Sequence, residues 1–321
     1  MQYIAELVES KQIQQPQVIA GSSIGAFNGA ILASHQPFST AVDTVNKLWE
    51  LLAQTKILNL NLSAFISYTA KFFPQPLSQS IQLLLKLKAP KQNFTSLLDK
   101  EPIEKLLRDT ISKDGLLGGI ELWVAAFPSL NINSLRDSIG FPILDILPDA
   151  FQDYIVDLAS STWKVQEPHY FCIQDFKDNE DDLYKVLLAS AALPLAFPKQ
   201  EINGQSYVDG GLGDNIPLRA LAKNDCTHVI VIHLDNGFIQ WNQYDFPEKN
   251  IIEIRPQKEI TTTLLDFSQE NLATLQQRGY EDAKYFLDNI LRFSTTVQNT
   301  RDTLNLLINS TKRFSQDSAL S

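Results

Sequence analysis

Apolar positions along this chain change their period several times, and the changes mark the elements. In Met1–Ser10, Ile4, Leu7 and Val8 recur at helical spacing, whereas Pro16-Gln-Val-Ile-Ala20 is a short continuous run that predicts a buried strand. Glycines and serines interrupt at Gly21-Ser22-Ser23-Ile24-Gly25, after which small and apolar residues continue from Ala26 through Ala33 without a breaker. That order predicts a strand, a tight turn and a helix packed closely on a sheet. Further on, Glu121–Phe127 (ELWVAAF) and His169–Phe176 predict extended segments, and Leu183–Ala192 predicts a helix stopped by Pro194. Ser206-Tyr-Val-Asp209 predicts a short strand that runs into Gly210-Gly211. Thr227–Leu234 (THVIVIHL) is continuously apolar and β-branched, the pattern of a central parallel strand. Ile251–Ile254 adds a strand, Leu264–Ile290 a helix, and the polar residues at the end of the chain a mobile tail.

Composition narrows the classes. With 321 residues and 44% hydrophobic content the chain can bury a large core, and strands alternating with helices point to α/β. A formal charge of -10, with no dense basic cluster, argues against nucleic acid as a partner. Cys172 and Cys226 form no CxxC pair, so neither a zinc site nor a disulfide framework is indicated. No apolar run is long enough to span a bilayer, and the acidic start does not resemble a signal peptide, so a cytoplasmic location is expected. One stretch departs from the rest. Residues 51–98 carry Lys56, Lys71, Lys86, Lys88 and Lys91 with no Asp or Glu, and include the apolar run SQSIQLLLKLK. Apolar burial combined with attraction to anionic head groups would allow peripheral membrane contact there; a helix covering the core with solvated lysines is the equal alternative.

The chemistry concentrates at two glycine-flanked strand ends. Gly21-Ser22-Ser23-Ile24-Gly25 fits G-x-S-x-G, in which a sharp strand-to-helix turn exposes the serine hydroxyl and glycines leave room where a Cβ would clash. The alternative is that Ser23 merely caps the helix. A serine needs a base and a stabilised oxyanion to act as a nucleophile. Asp209, before Gly210 and Gly211, could supply the base if its strand ends on the same sheet edge; alone, it could equally be an Asp-Gly turn. An oxyanion donor is available in the Ile24 backbone N–H at the helix start. His35, His169, His228 and His233 are expected to be structural.

Together, VIAGSSIGAFNGA, TSLLDKEPIEKLL, LLASAALPLAFPKQEINGQSYVDGG and GDNIPL resemble the patatin-like phospholipases, serine lipid acyl hydrolases with a Ser-Asp dyad. The resemblance implies a three-layer α/β/α fold with a mostly parallel central sheet. It places the nucleophile at Ser23 and the general base and acid at Asp209, with motif glycines Gly21, Gly25, Gly210 and Gly211. It also gives Asn215 and Pro217 a structural role, and implies a lipid ester substrate with no metal or organic cofactor. The hydrolase region is expected over 1–220, with 221–321 packed on the same fold.

Family members carry a glycine-rich oxyanion loop after their first strand, whereas here only 22 residues precede Ser23 and none is glycine before Gly21. The expectation is a chain without that loop, poorly stable and weakly active as written. Two alternatives follow: an impaired lipid- or partner-binding remnant of the fold, and an ordinary α/β-hydrolase using Ser23, Asp209 and His228 or His233. The second requires more strands before the nucleophile than 22 residues supply.

Overall fold

The computed structural model describes residues 1–54, 101–130, 153, 156–157, 160–161, 164–192, 198–222, 224–234, 250–258 and 269–317. The lysine-bearing stretch from Lys56 to Lys91 lies outside them. The chain opens with helix α1 (Gln2–Glu9), which buries Ile4, Ala5 and Leu7, as its apolar spacing predicts. Strand β1 (Val18–Ser22) leads through Ser23 into α2 (Ile24–Ser34) and then α3 (Phe38–Gln54). Helices α4 (Glu101–Thr110) and α5 (Lys113–Gly118) precede β2 (Glu121–Pro128).

The segment from His169 is extended only as far as Cys172 (β3), and Ile173–Phe176 closes into a 3-10 turn. Helix α6 (Glu180–Ser190) starts on an Asn179 cap that accepts the Asp182 N–H, and brings the chain to β4 (Gln200–Ile202) and β5 (Gln205–Asp209). Strands β6 (His228–Ile232) and β7 (Asn250–Ile254) and helix α7 (Gln269–Asp317) complete the described elements. Helix α7 is longer than the periodicity predicted. It ties back to the N-terminal region through Tyr280 to Glu6 (2.8 Å), Gln276 to Asn46 (3.4 Å) and Asp288 to Tyr3.

The fold is α/β, with a mixed sheet in the order β1-β2-β5-β4, β3 pairing β2, and a second sheet of β6 and β7. The two longest ladders, β1 with β2 and β6 with β7, are parallel. Strands β3 and β5 run antiparallel to β2, and β4 antiparallel to β5. The apolar run Thr227–Leu234 forms a parallel strand, as its pattern predicts, but among the described residues that strand lies in the two-stranded sheet. Among the described residues β6 hydrogen-bonds only to β7, and Ile232 and Leu234 are exposed. Its inward positions, Val229 and Val231, pack with Leu218 and Leu221 against Val18 and Ala20 on one face of β1. The opposite face carries α2, where Gly29 lets the helix lie close. A Cβ at Gly29 would meet the Ile19 and Leu122 side chains at 3.1 Å. This tight contact holds the middle of α2 against Ile19 of β1 and Leu122 of β2.

Candidate active site

Ser23 stands between β1 and α2 with φ 53° and ψ -125°, a backbone state that L residues rarely adopt. One close approach accompanies it. A Cβ on Gly21 would lie 2.5 Å from the Gly25 carbonyl, so only glycine lets β1 turn so sharply into the helix. Gly25 is different: among the described residues nothing lies within 4 Å of where its Cβ would be. The close approach that requires a glycine is therefore seen at Gly21, and among the described residues none is seen at Gly25.

Although Ser23 occupies the cap position of α2, its side chain makes no capping bond. Its hydroxyl instead donates to Asp209 Oδ2 at 2.6 Å, across 186 residues of sequence. The other carboxylate oxygen, Oδ1, accepts the Gly211 N–H at 2.7 Å. Each oxygen of Asp209 thus has one donor, and the carboxylate is locked in orientation. Asp209 is buried, and this desolvation pushes its pKa up to about 6, against the opposing pull of the Ser23 and Gly211 hydrogen bonds.

Strand β2 sets the spacing of the pair. Ser22 is in register with Ala125 on one side of β2, and Asp209 with Ala126 on the other. Two strands that are far apart in sequence therefore deliver their last residues to adjacent positions on one central strand. Gly210 is needed for the same close fit, since a Cβ there would come within 2.2 Å of the Ala125 carbonyl oxygen. A Cβ on Gly211 would press on Asp209 Oδ1 at 2.9 Å and Asn215 Oδ1 at 3.2 Å.

The histidines bond elsewhere: His35 to Ser34 and the Ile31 carbonyl, His169 to Tyr207, His228 to Thr227, and His233 to Glu253 at 3.1 Å. Ile24 begins α2, so its N–H lies at the Ser23 end of the helix, while the Ala26 and Phe27 N–H groups donate to the Ser23 carbonyl at 3.0 and 3.4 Å. Among the described residues no cluster of His, Cys, Asp and Glu has the makings of a metal site.

The family model for patatin-like phospholipases matches residues 1–222, the part of the chain that carries both Ser23 and Asp209. The chain belongs to the patatin-like phospholipase family. This is a family of lipid acyl hydrolases, and its α/β fold is the one described above. Among solved structures the chain is similar to VipD from Legionella pneumophila, at 14% identity and a TM-score of 0.38. That alignment covers 90% of this chain and 64% of VipD, so the chain spans less than two thirds of that structure. The search of curated proteins found no match.

Sequence reasoning missed one contact at this candidate site. Ser190, at the end of α6, accepts the Ser23 backbone N–H at 3.0 Å and donates to the Ala125 carbonyl at 2.6 Å. The available signal was a lone hydroxyl in the small apolar run Leu188-Ala-Ser-Ala-Ala192.

Proposed function

We propose that this protein is a serine hydrolase that cleaves carboxylic esters of lipids through Ser23 and Asp209. The observation carrying this reading is the 2.6 Å bond from a serine hydroxyl in a strained strand-to-helix turn to a buried carboxylate. In the first step Ser23 Oγ attacks the acyl carbonyl carbon as its proton passes to Asp209 Oδ2. Negative charge collects on the carbonyl oxygen at the start of α2, where the Ile24 N–H and the helix dipole favour it. Collapse breaks the ester bond, the departing alcohol takes the proton from Asp209, and an acyl-enzyme remains. Water then attacks the acyl carbon, Asp209 again accepts a proton, and Ser23 recovers it as the carboxylic acid leaves. A carboxylate with a pKa of about 6 is ionised at pH 7 yet basic enough to share a proton, which suits this role.

A lipid substrate is supported by the family, and interfacial binding through the lysine-bearing residues 51–98 by the sequence. The test of the reaction is hydrolysis of a short-chain nitrophenyl ester, together with labelling by a fluorophosphonate probe. Both should occur in the parent and vanish in Ser23→Ala; hydrolysis that survives this variant refutes the assignment. Vesicle flotation tests the interface: binding should favour anionic over neutral vesicles and weaken when Lys86, Lys88 and Lys91 become Gln.

A further inference from the structure

We propose that the end of helix α6, Ser190–Ala192, is a positioning clamp that holds the backbone of both reacting residues, with the Ser190 hydroxyl as its working group. This inference rests on the Ser23-Asp209 reading above and assigns a role to a segment that does not touch the reacting atoms. Two contacts, made by residues two apart, carry it. Ser190 Oγ accepts the Ser23 N–H at 3.0 Å, and the Ala192 carbonyl accepts the Asp209 N–H at 3.1 Å. Ser190 Oγ also donates to the Ala125 carbonyl at 2.6 Å, which fastens the clamp to the strand that registers Ser22 and Asp209.

The chemistry of a hydroxyl fits this position. It is donor and acceptor at once, so it can bridge the Ser23 N–H and the Ala125 C=O. Ser190 is fully buried, with 0% exposure, so water cannot take over either bond in the intact fold. The turn at Ser23 requires such help, because φ 53° is unfavourable for serine and persists only when the surroundings over-determine it. The bond also engages the Ser23 amide, which directs the oxyanion to the N–H groups that follow it in α2. Loss of the hydroxyl would let the turn relax and swing Ser23 Oγ away from Asp209. Misplacement of a reacting group by about 1 Å can cost ~10²-fold in rate.

The experiment uses the full chain and the variants Ser190→Ala, Ser190→Cys and Ser190→Thr. Amide hydrogen exchange at Ser23 is measured by NMR alongside ester hydrolysis. The parent should show a protected Ser23 amide. In Ser190→Ala that amide should exchange at least ~10-fold faster while the β1–β2 ladder keeps its protection. The same variant should lose ~10- to 100-fold in kcat with KM changed less than about twofold, and Ser190→Thr should recover most of the loss. A Ser23 amide that is unprotected in the parent, or equally protected in Ser190→Ala, overturns the clamp. So does a loss of kcat that merely follows loss of protection throughout the fold. Should Ser190→Ala fail to fold, Ser190→Cys carries the test, since a thiol is the weaker partner and exchange at Ser23 must still rise. Failure of the hydrolase reading shows separately, as hydrolysis that persists in Ser23→Ala.

Discussion

Two serine-aspartate pairs can be compared among the described residues, and one of them has the features of a nucleophile and base. Ser129, just beyond β2, has its hydroxyl 2.9 Å from both oxygens of Asp157, and burial pushes the Asp157 pKa up to about 6, as it does for Asp209. By pairing distance and carboxylate pKa the two sites look alike. They differ in what else touches the serine. Lys199 Nζ donates to Ser129 Oγ at 2.5 Å and also reaches Asp153 at 2.9 Å and Asp157 at 3.7 Å. The Ser129 lone pair is therefore engaged by an ammonium while its proton faces the carboxylate, and the residue is 4% exposed. Ser23 is half-buried, has no cation on its oxygen among the described residues, and sits at a positive φ at the mouth of a helix. A short Ser-Asp contact is common to both. An ammonium on the serine oxygen is not: among the described residues only Ser129 carries one.

The largest effect should separate the pairs outright. Ser23→Ala and Asp209→Asn should each reduce ester hydrolysis by at least ~10³-fold, and the double variant should be little worse, because groups acting as a unit are non-additive. Ser129→Ala should keep activity within about threefold of the parent once corrected for folded protein, its cost being the loss of a buried hydrogen bond, ~1–3 kcal/mol. An equal loss of rate from Ser129→Ala would erase the distinction.

The glycines sharpen it at the level of stability. Gly21→Ala and Gly210→Ala force a methyl to within 2.5 Å and 2.2 Å of backbone atoms that cannot yield without moving a strand. Each should cost about 3 kcal/mol or more, measured by urea unfolding. Gly25→Ala meets open space within a helix, so stability should hold or rise by up to ~1 kcal/mol. If that open space receives the acyl group, the same variant lowers kcat/KM while leaving the melting temperature intact.

The sequence made one half of the site legible and concealed the other. Gly21-Ser22-Ser23-Ile24-Gly25 after an apolar run, and Asp209 before two glycines, announce themselves because turns and strand ends are local events with local residue preferences. The partners that make them work are not local. Ser190 reaches Ser23 across 167 residues, and Ala125 and Ala126 act through strand register, which no side-chain pattern records. The apolar run 227–234 shows the same limit. Continuous hydrophobicity predicted a parallel strand, which β6 is, but it does not report which strand lies alongside, and among the described residues that strand is β7.

The finest test of the comparison is pH. In the proposed mechanism Asp209 must be ionised to accept the Ser23 proton, so kcat/KM should rise about tenfold per unit below pH ~6 and level off above it. Asp157→Asn should leave that inflection in place, because Asp157 has no part in the reaction; its disappearance in this variant would reverse the assignment of the two pairs. Stability should run in the opposite direction to activity. Asp209 is raised from 3.8 to about 6 in the folded chain, so the folded state holds its proton more tightly than the unfolded state does. The resulting stabilisation is fully present below pH ~4 and lost as pH rises through about 6, and a shift of roughly two units corresponds to at most about 3 kcal/mol. Asparagine cannot ionise and keeps an acceptor for the Gly211 N–H. Asp209→Asn should therefore unfold at a higher urea concentration than the parent at pH 7.5, with the gap closing towards pH 4. A variant that is inactive yet more stable at neutral pH is what a carboxylate kept buried for proton transfer predicts. A stability difference that is unchanged between pH 4 and 7.5 would mean that Asp209 is not held at a raised pKa, and the acid limb of the rate profile would then need another group.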